Sequence, residues 1–358
     1  MGLHRHFRVL FVAGLLAGSA SAVSARDVSL DERMLILRRA RLWQETDPAS
    51  MDLLNGPQGE GAYRFKDEVR CVFEERDPAF PIGGHTKKFP CVDAAKTRLK
   101  VKYDPSQNTE IFGEVAATRL FWALGFYAER MYSVRLACGN CPKDPFVSDA
   151  PPRAERVFEP VTLQKRLEGT EILSGEMEGW TFDELDLVEE ARGGASKAQV
   201  DALKLLAVFV NHGDNTHNQQ RILCPAGDPR CPRPILYVTD LGGTFGGKGY
   251  FTSLRNWTRK ARIWKDPSAC VADFEGMSPG YRDPRISEAG RAFLAGLLGR
   301  LSEKQVRDLF TGARFDALND IELPLPDKNG KTRKATIEDW VRVFMDKRSQ
   351  ILKAKCPL

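Results

Sequence analysis

Two periods of hydrophobic and polar positions run through the chain, and the points where one gives way to the other mark its elements. Leu99-Lys100-Val101-Lys102-Tyr103 alternates, with its lysines on one face, and predicts a strand. Glu68 to Phe73 and Arg156 to Leu163 carry similar β-like patterns. Between them Glu110 to Leu124 has helical spacing, with Ile111, Val115 and Trp122 on one stripe, Asn108 or Thr109 placed to cap its start and Gly125 at its stop. Ser196-Lys197-Ala198-Gln199 is a capping box opening a second helix that turns Val200, Leu203, Ala207 and Val210 toward a core. Residues 27–50, rich in Arg, Leu and Glu, predict a helical leader, and from Pro284 onward the chain reads as helices, including Leu294 to Leu301 and Ile337 to Leu352.

Strands therefore gather in the first half and helices in the second. The expectation is an α+β protein in two lobes, with a β-rich part over residues 26–160, a mostly helical part over 161–358, and a boundary near Glu159-Pro160-Val161.

The first 25 residues stand apart. Arg5 and Arg8 precede an apolar run from Val9 to Ala17, and Ala20-Ser21-Ala22 or Val23-Ser24-Ala25 offers a cleavage site, which predicts a secretory signal peptide over residues 1–25. The run is shorter than the roughly 20 residues a bilayer core requires. A secreted or periplasmic protein without an integral membrane segment after cleavage follows as the expectation. Eight cysteines, all beyond this leader, fit an oxidising compartment. Cys224 and Cys231 bracket a turn-rich stretch, Cys71 and Cys91 suit a second bridge, and Cys138 and Cys141 form either a tight local disulfide or half of a zinc site with Cys224 and Cys231. The formal charge of +5 falls to +3 without the leader, and its bases are interspersed with acids, so nothing calls for nucleic acid.

Candidate chemistry lies along residues 56–242. Gly56, Gly59 and Gly61 form a glycine-rich turn that would let backbone N–H groups approach phosphates. Lys102 sits on the alternating strand, and Glu110 and Glu114, one turn apart on the following helix, are its candidate partners. The second helix runs into Asn211-His212-Gly213-Asp214, followed by Asn218 and Gln219; the strand Ile235 to Val238 then leads to Asp240-Leu241-Gly242. A carboxylate near an attacking hydroxyl, and oxygens that hold a hard cation, suit phosphoryl transfer, which is mostly positioning and charge neutralisation. Taken singly, either Asp is as well explained as a turn former.

That order of glycine turn, strand lysine, helix glutamate, Asp loop and Asp-x-Gly resembles the protein-kinase-like superfamily, in the style of its atypical and secreted members, the HipA-like, CotH-like and Fam20-like kinases. The resemblance implies a two-lobed, disulfide-stapled fold using ATP with Mg²⁺ or Mn²⁺ to phosphorylate a hydroxyl of a protein, lipid or small molecule. It also implies roles: Lys102 orients phosphates, Glu114 or Glu110 holds Lys102, Asp214 accepts the hydroxyl proton, and Asp240 binds metal with Asn218 or Gln219. Departures are plain. Gln219 stands where an Asn is usual, Gly213 replaces the Arg of H-R-D, and the three glycines do not reproduce G-x-G-x-x-G. A catalytically inactive binding module on the same scaffold, or a nucleotidyl or glutamyl transferase, is the competing expectation. Arg119, Arg221, Lys248, Arg255 and Lys260 are candidates for an acidic-substrate surface.

Overall fold

Alternation along Glu68–Phe73 is realised as a strand whose Val69, Cys71 and Phe73 are buried while the residues between them are exposed. In the computed structural model, which describes residues 24–59, 61–75, 84, 86–103, 109–225, 230–246, 252–318, 325–327 and 329–357, the elements begin with β1 (Ser24–Asp27) and α1 (Leu30–Arg38). Then come β2 (Glu68–Phe73), β3 (Lys88–Asp93), β4 (Arg98–Lys102), α2 (Glu110–Ala123), β5 (Arg130–Cys141) and β6 (Ala154–Lys165). Five strands close into a barrel in the order β2-β3-β4-β6-β5, with β2 and β5 parallel and the other pairs antiparallel. Phe89, Val101, Leu136 and Leu163 are among the side chains filling it.

The second half supplies β7 (Thr170–Leu173), α3 (Lys197–Val210), β8 (Gln220–Cys224), β9 (Ile235–Val238), α4 (Leu254–Arg259), α5 (Glu288–Gly299), α6 (Glu303–Gly312), α7 (Phe315–Leu318) and α8 (Ile337–Lys353). A small sheet, β1-β7-β8-β9, and these helices share a second, larger core. The capping box opens α3 as its sequence requires, with both reciprocal bonds made between Ser196 and Gln199. Helix α2 joins the two halves. Twelve of its 14 residues are buried, so the single apolar stripe expected of it is in fact apolar contact on nearly every side, against β5 and β6 on one flank and α6 on another.

Several expectations change. Of the predicted leader only Leu30–Arg38 is α-helical, with a 3₁₀ turn at Pro48–Ser50; Arg41 and Trp43 make bridges to Ile235 and Phe126, and Ile36, Leu37, Ala40 and Leu42 pack in the larger core rather than against the barrel. Thr109 stands at the N-cap position just before α2, but its side chain makes no capping bond. Strand β6 continues through Glu159-Pro160-Val161, where the sequence placed a boundary, and ends at Lys165. All eight cysteines are paired: Cys71–Cys91, Cys138–Cys141, Cys224–Cys231 and Cys270–Cys356. Zinc shared by Cys138, Cys141, Cys224 and Cys231 is therefore not what the chain builds, since Cys138–Cys141 closes within β5 and Cys224–Cys231 closes the β8–β9 connection. Among the described residues no helix is long and apolar enough to cross a membrane. The leader up to Val23, Asn108 and Lys248 lie outside the described residues.

Candidate functional site

Alternation in β4 sends Leu99 and Val101 into the barrel and leaves Lys100 and Lys102 on the opposite face, toward α2. Helix α2 meets that face with Glu114. The Lys102 ammonium donates to both Glu114 carboxylate oxygens, at 2.5 and 2.6 Å, and the two side chains are 3% and 1% exposed. Glu110, one turn earlier, instead accepts from the Thr86 hydroxyl at 2.7 Å, which settles which glutamate meets the lysine. Burial opposes a charge on Lys102, yet Glu114 and Asp240 overcome it and hold the lysine pKa above its ordinary value. Burial pushes Glu114 up, to about 7, against the pull of Lys102. These directions favour opposite charge states for the pair, and two short bonds to one ammonium decide for the ionised form.

The facing wall comes from the end of α3. Asn211 terminates that helix in the left-handed region at φ 59°, turning His212, Gly213 and Asp214 away from the helix axis. The turn is anchored: Asn215 Oδ1 accepts the Ser278 N–H at 2.8 Å, and Gly213 O accepts the Met277 N–H at 2.9 Å. His212 is fully buried, and burial lowers its pKa to about 4, so it is a neutral ring. In the 3₁₀ turn His217–Gln219 the two amides meet different partners. The Gln219 amide nitrogen donates to Asp214 Oδ2 at 3.3 Å, whereas exposed Asn218 accepts from the Thr216 hydroxyl.

Strands β8 and β9 then carry the chain to Asp240. Burial would raise the Asp240 pKa, but the charge of Lys102 and the Gly242 N–H, which donates to Oδ1 at 3.1 Å, outweigh it and leave the value lowered. Burial and the nearby Asp240 raise the pKa of Asp214. Gly243 passes so near Asp214 that a side chain there would begin 3.4 Å from Asp214 Cβ. Farther on, the Thr252 hydroxyl and the Gly242 carbonyl fill the space beside Gly113, the residue before Glu114. The structure thus gathers Lys102, Glu114, Asp240, Asp214 and Gln219 into one cluster between the barrel and the end of α3.

Other sequence candidates lie elsewhere. Gly56 abuts the Arg119 side chain, Pro57 O accepts the Tyr132 hydroxyl at 3.0 Å, and Gly61 O accepts from Lys165 at 2.7 Å. Gly56, Gly59 and Gly61 all take positive φ, so the glycines serve a turn seated on the flank of α2 and the ends of β5 and β6. Arg119, expected at a surface, is fully buried and donates to Leu54 O at 2.6 Å. Arg221 is engaged with Glu171 and Glu178.

Four further residues lie in the same region, none of them a site candidate from sequence. Lys88 on β3 stands in register opposite Lys102. Lys100 has its pKa lowered to about 8, first by burial and then by Lys102. Glu129, buried in the connection after α2, is pushed up by burial to about 7. The Gln164 amide donates to Thr239 O at 3.3 Å, tying β6 to the residue before Asp240. Only Lys100 leaves a trace in sequence, through its i+2 relation to Lys102.

The oxygens of Asp240 and the Gln219 amide have the donor chemistry that Mg²⁺ or Mn²⁺ takes, with the Asp214 carboxylate beside them. Two carboxylates close enough to raise one pKa supply the negative charge such a cation offsets. Among the described residues, the only three His, Cys, Asp or Glu ligand atoms clustered within single-ion range are the sulfurs of Cys71, Cys91 and Cys138, which are in disulfides.

No protein-family model matches the chain, and no curated protein matches it. Among solved structures it is similar to the Helicobacter pylori proinflammatory kinase CtkA, at 13% identity and a TM-score of 0.44, over 78% of this chain and 94% of that one. It is also similar to vaccinia related kinase 3, at 11% identity and a TM-score of 0.18, over 79% and 80% of the two chains. Both neighbours are kinases.

Proposed function

We propose that the protein is a phosphotransferase of kinase-like architecture, acting outside the cytosol, that moves a phosphoryl group from ATP to a hydroxyl of a protein, lipid or small molecule. The observation that carries this reading is the buried Lys102–Glu114 pair beside Asp240. A buried ion pair is weak support for stability, because apolar replacements of like volume are often as good or better. Its presence is accounted for when the lysine is kept charged for an anionic ligand.

On this reading Lys102 orients the donor phosphates and Glu114 fixes the ammonium. Asp240 and the Gln219 amide would hold Mg²⁺ or Mn²⁺. When bound, the cation neutralises charge on the phosphates. Asp214 Oδ1, the oxygen not engaged by Gln219, takes the proton of the attacking hydroxyl, and its raised pKa brings it nearer the working range of a general base.

The test is nucleotide- and metal-dependent thermal stabilisation of the oxidised protein, beside Asp240→Ala. Stabilisation of the wild type by ATP with Mg²⁺ or Mn²⁺, abolished by the substitution, supports the site. Mass analysis of modified targets then separates phosphoryl from nucleotidyl transfer. A wild type that ignores every nucleotide overturns the proposal in favour of an inert binding module.

A further inference from the structure

The outer face of the β3–β4 ladder carries more positive charge than one lysine role requires. Lys88 and Lys102 are directly paired across the antiparallel strands, and because neighbouring Phe89 and Val101 point into the barrel, both lysines project toward the cleft. Residues so paired have Cβ atoms about 4.5–5.5 Å apart, and like charges there are destabilising. Glu114 relieves Lys102 with both of its oxygens. Lys88 has no such relief: among the described residues it makes no hydrogen bond and no ion pair, although it is part-buried and feels the charges of Lys102, Asp240, Glu114 and Glu110. Its ammonium lies close to Gly84, where a side chain's first carbon would stand 3.2 Å from it.

We infer that Lys88 is a second phosphate-binding cation, and that the terminal phosphates of a polyphosphate donor are held between Lys88 and Lys102 on adjacent strands. This rests on the reading of the cleft as a nucleotide site and deepens it. The glycine turn at Gly56, Gly59 and Gly61 is occupied with Arg119, Tyr132 and Lys165, and Lys88 supplies the donor contacts that turn was expected to make. A charge-assisted contact from an unpaired ammonium adds affinity without new backbone order.

Titration calorimetry of wild type, Lys88→Met and Lys88→Arg with ATP, AMP and inorganic tripolyphosphate, each with Mg²⁺, tests the inference. Lys88→Met should weaken ATP and tripolyphosphate by about 10- to 100-fold, leave AMP unchanged, and be rescued by Lys88→Arg. Unchanged ATP and tripolyphosphate binding by Lys88→Met overturns the role of Lys88 while leaving the nucleotide site standing. Lys88-dependent binding of tripolyphosphate without any binding of ATP or AMP sustains the phosphate contact and removes the nucleotide reading. A wild type that binds none of the three overturns both. Near-ultraviolet circular dichroism of each variant verifies its fold, and should Lys88→Met fail to fold, an Arg variant that binds tripolyphosphate no better than AMP still sinks the inference.

Discussion

Glu114 offers both carboxylate oxygens to the single ammonium of Lys102, at a place where neither side chain reaches solvent. Removing one member strands the other in a site that cannot hydrate it. Glu114→Gln is expected to cost about 3–5 kcal/mol, whereas Lys102→Met with Glu114→Leu should be close to neutral or stabilising. Guanidinium unfolding of the single and double variants measures this, and additive losses would mean that the pair is not coupled.

Asp214 and Asp240 should separate by kind of defect. Asp214→Asn keeps the shape of the cleft and removes the proton acceptor, so single-turnover transfer should slow by about 10²- to 10⁴-fold. Stabilisation by the metal–nucleotide complex should persist in that variant. Loss of stabilisation would assign Asp214 to ligand binding instead.

Glu129 predicts a pH dependence. Burial raises its pKa in the fold from an ordinary value of 4.5 to about 7, so the native state holds a proton that the unfolded chain has released. Its contribution is present in full below pH 4.5 and lost as pH rises through about 7. Wild type should therefore fall behind Glu129→Gln by roughly 2–4 kcal/mol between acid and pH 8, as read from urea midpoints across that range. A constant difference would show that Glu129 does not titrate in this window.

The four disulfides should differ in worth by the chain each one closes. Cys270–Cys356 spans 86 residues and Cys138–Cys141 only three. Loop entropy assigns about 4–5 kcal/mol to the first and about 1.5 kcal/mol to the second. Paired Cys→Ser variants compared by urea unfolding check the order, and equal losses would point away from an unfolded-state effect.

The nearness of Lys102 to Glu114 is legible in sequence because each sits on a periodic element: a two-residue repeat fixes the face of β4 and a helical turn fixes the reach of α2. Glu110 has equal standing until Thr86, brought in by the β2–β3 connection, engages it. Lys88 is hidden because its partner is set by strand register, a long-range property. Strand β5 is hidden because Ser133, Arg135, Gly139 and Asn140 break its pattern, yet it is bordered on both sides by partners. The different partners of Asn218 and Gln219 follow from a single 3₁₀ turn, whose three-residue repeat has no signature in composition.

Helix α2 crosses the segment after Asp240 at Gly113, where the carbonyl of Gly242 and the hydroxyl of Thr252 occupy the space of the missing side chain. The acid that grips the lysine and the acid opposite it are therefore not two independent fixtures. Both flank one packed crossing, where only a residue without a side chain lets α2 lie this close to the Gly242 carbonyl and the Thr252 hydroxyl.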